Sequence, residues 1–219
     1  MIRPARPAPR PRKPSPKNRP PALLYRLRVE LMGVVPPVWR SLLVAGDATL
    51  GWLHAALQVA TGWTNSHLHR FGTPSGDFSD PSFELECGDE GRVRLMDVAP
   101  VGGTELEYEY DMGDSWSHRV TVESITGPQG PIARDAECVD GARACPPEDC
   151  GGPGGYEDLL EAIADPGHEE HDSMLEWLGG GFDPEAFDRA HVDACLKLLP
   201  WPRVTVGQLA RVLRKRDGA

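Results

Sequence analysis

No stretch of this chain is apolar for long enough to cross a bilayer. Nor does its start resemble a secretory signal, because the first 22 residues are rich in proline and arginine and lack an apolar run. A phosphate-binding glycine loop, a nucleophile elbow, a dinucleotide fingerprint and an internal repeat are all missing. His168-Glu169-Glu170-His171 falls short of a zinc-protease helix, since its histidines are three apart rather than four. With Asp172 it reads as a solvated acidic helix face. Cysteines number five, an odd count that does not suit a disulfide framework. These absences predict a soluble, cytoplasmic protein with no membrane partner, in which clustered cysteines mean metal or redox chemistry.

What is present is strongly polarised in charge. Residues 1–22 carry Arg3, Arg6, Arg10, Arg12, Lys13, Lys17 and Arg19 and no acid, giving +7. Residues 203–219 carry Arg203, Arg211, Arg214, Lys215 and Arg216 against Asp217, giving +4. A net charge of −10 then leaves −21 for residues 23–202. Such a middle repels nucleic acid, while the two tails attract either nucleic acid or the acidic middle itself. The proline-rich residues 1–22 cannot bury enough apolar surface to offset their ordering entropy and are expected to be a disordered tail. The expected organisation is that tail, one domain over 23–202, and a basic C-terminal helix or tail over 203–219.

Within the domain, Tyr25, Leu27, Val29 and Leu31 alternate with Arg26, Arg28 and Glu30, the pattern of a half-buried strand. Pro36-Pro37 turns the chain into a second strand over 38–44. Asp47 and Thr49 offer N-caps to a helix with Leu50, Leu53, Leu57 and Ala60 at helical spacing, closed by Gly62. Strand, turn, strand, helix is a β-grasp-like opening. His67, His69 and Phe71 are expected on one face of a further strand, with short strands over 83–87 and 93–98. Leu106, Tyr108 and Tyr110 alternate with three glutamates, and an Asp111-to-Asp114 turn returns the chain through Trp116, His118, Val120 and Val122. His118 thus points inward. Helices follow through Tyr156 to Ile163, from Pro166 to Leu178, after Asp183-Pro184, and from Thr205, where Gln208 completes a capping box. The fold class is α+β, a mostly antiparallel sheet with a helical C-terminal half.

One run concentrates the chemistry: CVDGARACPPEDCGGPGGY, with Cys138, Cys145 and Cys150 among prolines, acids and five glycines. Zinc takes four ligands, usually thiolate or imidazole, on rigid loops. The three cysteines with His118 are the first ligand set, and His67 or His69 are runner-up fourth ligands. Buried, metal-free cysteines are the plain alternative. Glu148 and Asp149 are weak catalytic candidates, since a carboxylate beside a metal can act as a general base; adjacent carboxylates are also ordinary turn residues. Asp111, Asp114 and Trp116 could line a cleft, although an Asp-Gly-Asp sequence is first a hairpin turn. Cys87 and Cys195 read as packing residues.

YRLRVELMGVVPPVWR, ATGWTNSHLHRF, YEYDMGDSWSH, the PPED run with its following glycines and Tyr156, and FDPEAFD together resemble the plasmid pRiA4b ORF-3-like family, over about residues 24–199. The resemblance implies an α+β domain of bacteria and archaea, often encoded near plasmid or transposon genes. It carries over no catalytic residue. The position of Cys150 varies in the family pattern, which leaves a three-ligand or metal-free loop open. The expected function is a non-enzymatic interaction module associated with mobile elements, with an unidentified protein partner and a loop ordered by zinc. A metal-dependent hydrolase using Glu148 or Asp149 is one alternative, and nucleic-acid binding through residues 1–22 and 203–219 is another.

Overall fold

The computed structural model describes residues 23–127 and 136–217. The tail expected over 1–22 lies outside these residues. β1 (Leu24–Leu31) buries Tyr25, Leu27, Val29 and Leu31 and turns its charged partners outward, as period-two alternation requires. It pairs antiparallel with β2 (Trp39–Ala45) on one side and with β7 (Trp116–Thr126) on the other. The remaining strands are β3 (His69–Thr73), β4 (Gly76–Ser79), β5 (Gly88–Asp89), β6 (Glu105–Tyr110) and β8 (Glu137–Ala142). One eight-stranded sheet results, in the order β5-β4-β3-β6-β7-β1-β2-β8, antiparallel except between β4 and β5.

α1 (Leu50–Thr61) starts at Thr49, whose hydroxyl accepts from Trp52 N at 3.2 Å, and ends at Gly62 with φ +100°. Every residue of α1 but Gly51 is buried. A helix apolar on nearly every side belongs inside, and α1, polar only at His54, Gln58 and Thr61, packs against β2 and against two later helices, α5 (Arg189–Leu196) and α6 (Val206–Arg216). Burying Leu50, Leu53 and Leu57 stabilises the fold by about 2 kcal/mol each. α3 (Gly152–Ala164) and α4 (His171–Trp177) pack on one another after the cysteine run. The opposite face of the sheet is charged and open, braced by Arg26–Glu123 at 3.2 Å and by Arg70 with Asp77 and Glu109, both at 2.9 Å. Among the described residues no helix is long and apolar enough to cross a membrane.

The α+β class, the mostly antiparallel sheet and the helical C-terminal half agree with the sequence reading, while several elements differ. Residues 83–87 are not a strand: Asp80 caps a 3-10 turn over Pro81–Phe83, and Glu84 adopts φ +57°. Residues 93–98 instead form the short α2 (Leu95–Val98), because Asp97 accepts from Arg94 N at 3.2 Å and from its guanidinium at 2.6 and 2.8 Å. α4 begins at His171 rather than Pro166, behind a turn in which Asp165 accepts from Gly167 N at 2.8 Å. α5 is capped by Asp188, five residues later than Asp183-Pro184 suggests. Finally, Cys138 lies in a strand, β8, and not in the loop.

Candidate functional site

The segment between α1 and β3 organises the site. Trp63 Nε1 donates to Pro146 O at 2.9 Å, and Thr64 N to Glu148 Oε2 at 3.0 Å, with the Thr64 hydroxyl donating to the same oxygen. Tyr110 OH, at the end of β6, donates to Glu148 Oε1 at 2.5 Å and accepts from Ser66 N at 3.0 Å. Burial, and then the Glu148 carboxylate, hold the Tyr110 phenol protonated far above its ordinary range. Both Glu148 oxygens are therefore engaged in tying the Pro-Pro-Glu-Asp loop to the sheet.

The next residue on each of three segments brings its side chain to one point. His67 Nδ1 lies 3.4 Å from Asp111 Oδ2, and His67 Nε2 lies 3.3 Å from Asp149 Oδ1. One ligand atom from each of the three lies within 4.8 Å of the others. Asp111 is 7 % exposed, and its other oxygen accepts from Gly113 N at 3.0 Å, which fixes the hairpin turn and aims Oδ2 at His67. His67 Nε2 is buried and makes no hydrogen bond. Asp111 and Asp149 both adopt left-handed backbone conformations, φ +55° and +62°, tolerated by aspartate better than by most residues. The loop approaches the hairpin closely: Asp114 Oδ2 accepts from Gly151 N at 3.1 Å, and a Cβ on Gly152 would stand 2.4 Å from Asp114 O. One imidazole and two carboxylates form a nitrogen-oxygen donor set suited to a borderline or hard divalent cation, with coordination positions left for water.

The expected cysteine set is arranged differently. Cys138 is buried on β8, its Sγ 3.7 Å from Asp140 O, with its thiol pushed up by burial to about 11. Cys145 Sγ sits 3.6 Å from Arg40 Nη2, a cation that disfavours a metal there, and burial raises its pKa. Burial, and then Asp114, push Cys150 up to about 12. His118 points inward as expected, but its Nδ1 donates to Trp116 O at 3.1 Å and Tyr108 O at 3.2 Å, and burial lowers its pKa to about 4. Among the described residues, no three of Cys138, Cys145, Cys150 and His118 bring ligand atoms within 4.8 Å of one another. Cys195 is buried and Cys87 partly so, as packing residues would be.

His67 and His69 line the same cleft but reach different partners. β3 starts only at His69, after a segment in which Asn65 takes φ +60°. The Nε2 of His69 meets Glu90 Oε2 at 2.9 Å. Its ring stacks on His54 of α1, whose Nδ1 accepts from Tyr108 OH at 2.9 Å and whose Nε2 donates to Asn65 Oδ1 at 2.7 Å. Burial lowers His54 to about 3 and His69 to about 4, and raises Glu90 to about 7. This cluster lines a cleft of about 550 Å³ with Asp80, Phe83 and Arg203. Sequence reasoning missed it; a histidine and a glutamine inside an otherwise apolar helix, His54 and Gln58, were the available signal. Of the C-terminal basic residues, Arg211, Arg214 and Lys215 are exposed on α6, while Arg216 donates to Gln58 O and Trp63 O, both at 3.2 Å.

A family model described as plasmid pRiA4b ORF-3-like protein matches residues 23–191. The chain is 42 % identical over 164 residues to the uncharacterized protein y4hQ of Sinorhizobium fredii, covering 72 % of this chain and 82 % of that one. A crystal structure of the Methanosarcina mazei Go1 protein of unknown function MM3350 is 34 % identical, with a TM-score of 0.69, covering 78 % of this chain and 97 % of that one. The match includes the hairpin, the α1–β3 segment and the Pro-Pro-Glu-Asp loop, and this chain belongs to the plasmid pRiA4b ORF-3-like protein family.

Proposed function

We propose that this chain is a divalent-cation-binding interaction module whose metal is held by His67, Asp111 and Asp149. The observation that carries the reading is the meeting of three ligand atoms, from three segments far apart in sequence, within 4.8 Å. Bound there, a cation such as zinc or manganese joins the α1–β3 segment, the β6–β7 turn and the Pro-Pro-Glu-Asp loop, so that metal affinity becomes folding free energy. A binding role is favoured over hydrolysis by the state of Glu148: a general base needs a free oxygen, and Tyr110 and Thr64 occupy both. The family's description as a plasmid reading frame supports a place beside mobile DNA.

Calorimetric titration of the metal-free protein with Zn²⁺ and Mn²⁺ tests the reading. One equivalent is expected, weakened at least tenfold in Asp111→Asn, which keeps the turn-forming oxygen, and unchanged in Cys145→Ser. Loss of binding in Cys145→Ser with retention in Asp111→Asn would return the metal to the cysteines.

A further inference from the structure

A second cavity, of about 610 Å³, opens between the C-terminal end of α1, residues 144–148 and the α4–α5 region. Its walls are aromatic, with Trp63, Trp177, Phe182 and Phe187, and Arg40 and Arg216 also line it. Arg40 is 4 % exposed. Its Nε donates to Ala60 O at 2.9 Å, its Nη1 to Trp39 O at 2.8 Å and Ala142 O at 2.9 Å, and its Nη2 to Arg143 O at 2.9 Å. The fifth N–H has only Cys145 Sγ, at 3.6 Å. The guanidinium also lies 4.2 Å from the centre of the Phe187 ring.

Carbonyl dipoles solvate this charge without neutralising it. Among the described residues, no carboxylate lies within ion-pairing distance of Arg40. Cys145 does not supply the missing anion, because burial keeps it a thiol. Glu148 and Asp188 also line the cavity and keep their charge, since their hydrogen-bond donors are the neutral Tyr110, Thr64 and His191 N, but neither carboxylate is within 4.0 Å of a guanidinium nitrogen of Arg40. Arg216 joins Arg40 on the carbonyls at the end of α1, where the helix dipole offers only about half a negative charge, and Asp217 balances Arg216 alone, at 2.7 Å. A buried cation without a counter-ion is costly. An apolar cavity of this size with one such group has the make-up of a small-molecule site.

We propose that this cavity binds a small amphipathic anion, a carboxylate head on an apolar body. The head takes the Nη2 hydrogen that now faces Cys145, and the body lies against Trp63, Trp177, Phe182 and Phe187. None of the proposed metal ligands takes part.

The test compares octanoate, 1-octanol and octylamine on the full chain, read by calorimetry and by tryptophan fluorescence, since Trp63 and Trp177 both line the cavity. Octanoate is expected to bind at one saturable site at least tenfold more tightly than either of the others. Phe187→Ala, with its fold checked by thermal melting, is expected to weaken octanoate by about tenfold. Equal affinity for octanol would make the cavity merely apolar, tightest binding of octylamine would show an acidic site, and no saturable binding would leave no site. Each of these three results overturns the proposal.

Discussion

His54 and His69 stack face to face in the protein interior, ring centroids 3.5 Å apart and 5° from parallel. Two imidazoles at this spacing cannot both carry charge in a buried setting without strong repulsion. Glu90, whose Oε2 lies 2.9 Å from His69 Nε2, is kept protonated up to about pH 7 by the same burial. The cluster therefore titrates in opposite directions, with both imidazoles neutral above about pH 4 and the Glu90 carboxyl protonated below about pH 7.

The Glu90 carboxyl moves from 4.5 to about 7 on folding. Its contribution to stability is present below pH 4.5 and lost as the pH rises to 7. His54 and His69, lowered from 6.5 to about 3 and about 4, favour the fold above pH 6.5 and lose that contribution as the pH falls. Glu90→Gln removes only the first effect. Urea unfolding across a pH series should show the variant gaining on the parent between pH 4.5 and 7, by on the order of 3 kcal/mol at the upper end. A constant difference across that window would mean that Glu90 titrates normally.

Metal should also register as stability. Zn²⁺ or Mn²⁺ at a hundredfold its dissociation constant adds about 2.7 kcal/mol to a protein that binds it only when folded. A rise in melting temperature is expected for the parent, reversed by a chelator and absent in Asp111→Asn. Equal shifts in both proteins would remove Asp111 from the ligand set.

Gly152 has φ +70° and room for no side chain, since its Cβ would meet the Asp114 carbonyl at 2.4 Å. Gly152→Ala forces the loop off the hairpin or strains both. A loss of about 2 kcal/mol or more is expected in chemical denaturation, with weaker metal binding, because Asp149 is positioned by the same loop. Unchanged stability would show that the loop can move without cost.

Tyr110 and Glu148 should be energetically coupled. Tyr110→Phe leaves a Glu148 oxygen and the Ser66 N–H without their partner, as Glu148→Gln changes the charge that the phenol serves. A double-mutant cycle is expected to give a coupling of about 1–3 kcal/mol. Additive losses would separate the loop from the sheet.

The parts of the fold that were legible are those whose causes are local. Thr49 and Gly62 bracket α1, and Thr205 with Gln208 starts α6, because caps act within one turn. The β6–β7 hairpin follows from alternation plus a turn. Residues 83–87 failed because Pro81 and the Asp80 cap override a short apolar pattern. Asp111 was legible as a turn former through one oxygen. Its other oxygen meets His67, 44 residues earlier, and only the assembled sheet brings them together. Glu90 was invisible for the same reason: nothing near it in sequence indicates that its carboxyl will be buried against His69, 21 residues earlier.

The link between α1 and β3 works as a ruler. Thr64, Ser66, His67 and His69 each reach a different partner, namely Glu148, Tyr110, the two aspartates and Glu90. Adding or deleting one residue would put every later mark against the wrong partner, so relatives that share this architecture should preserve the length of the link even where they change its letters.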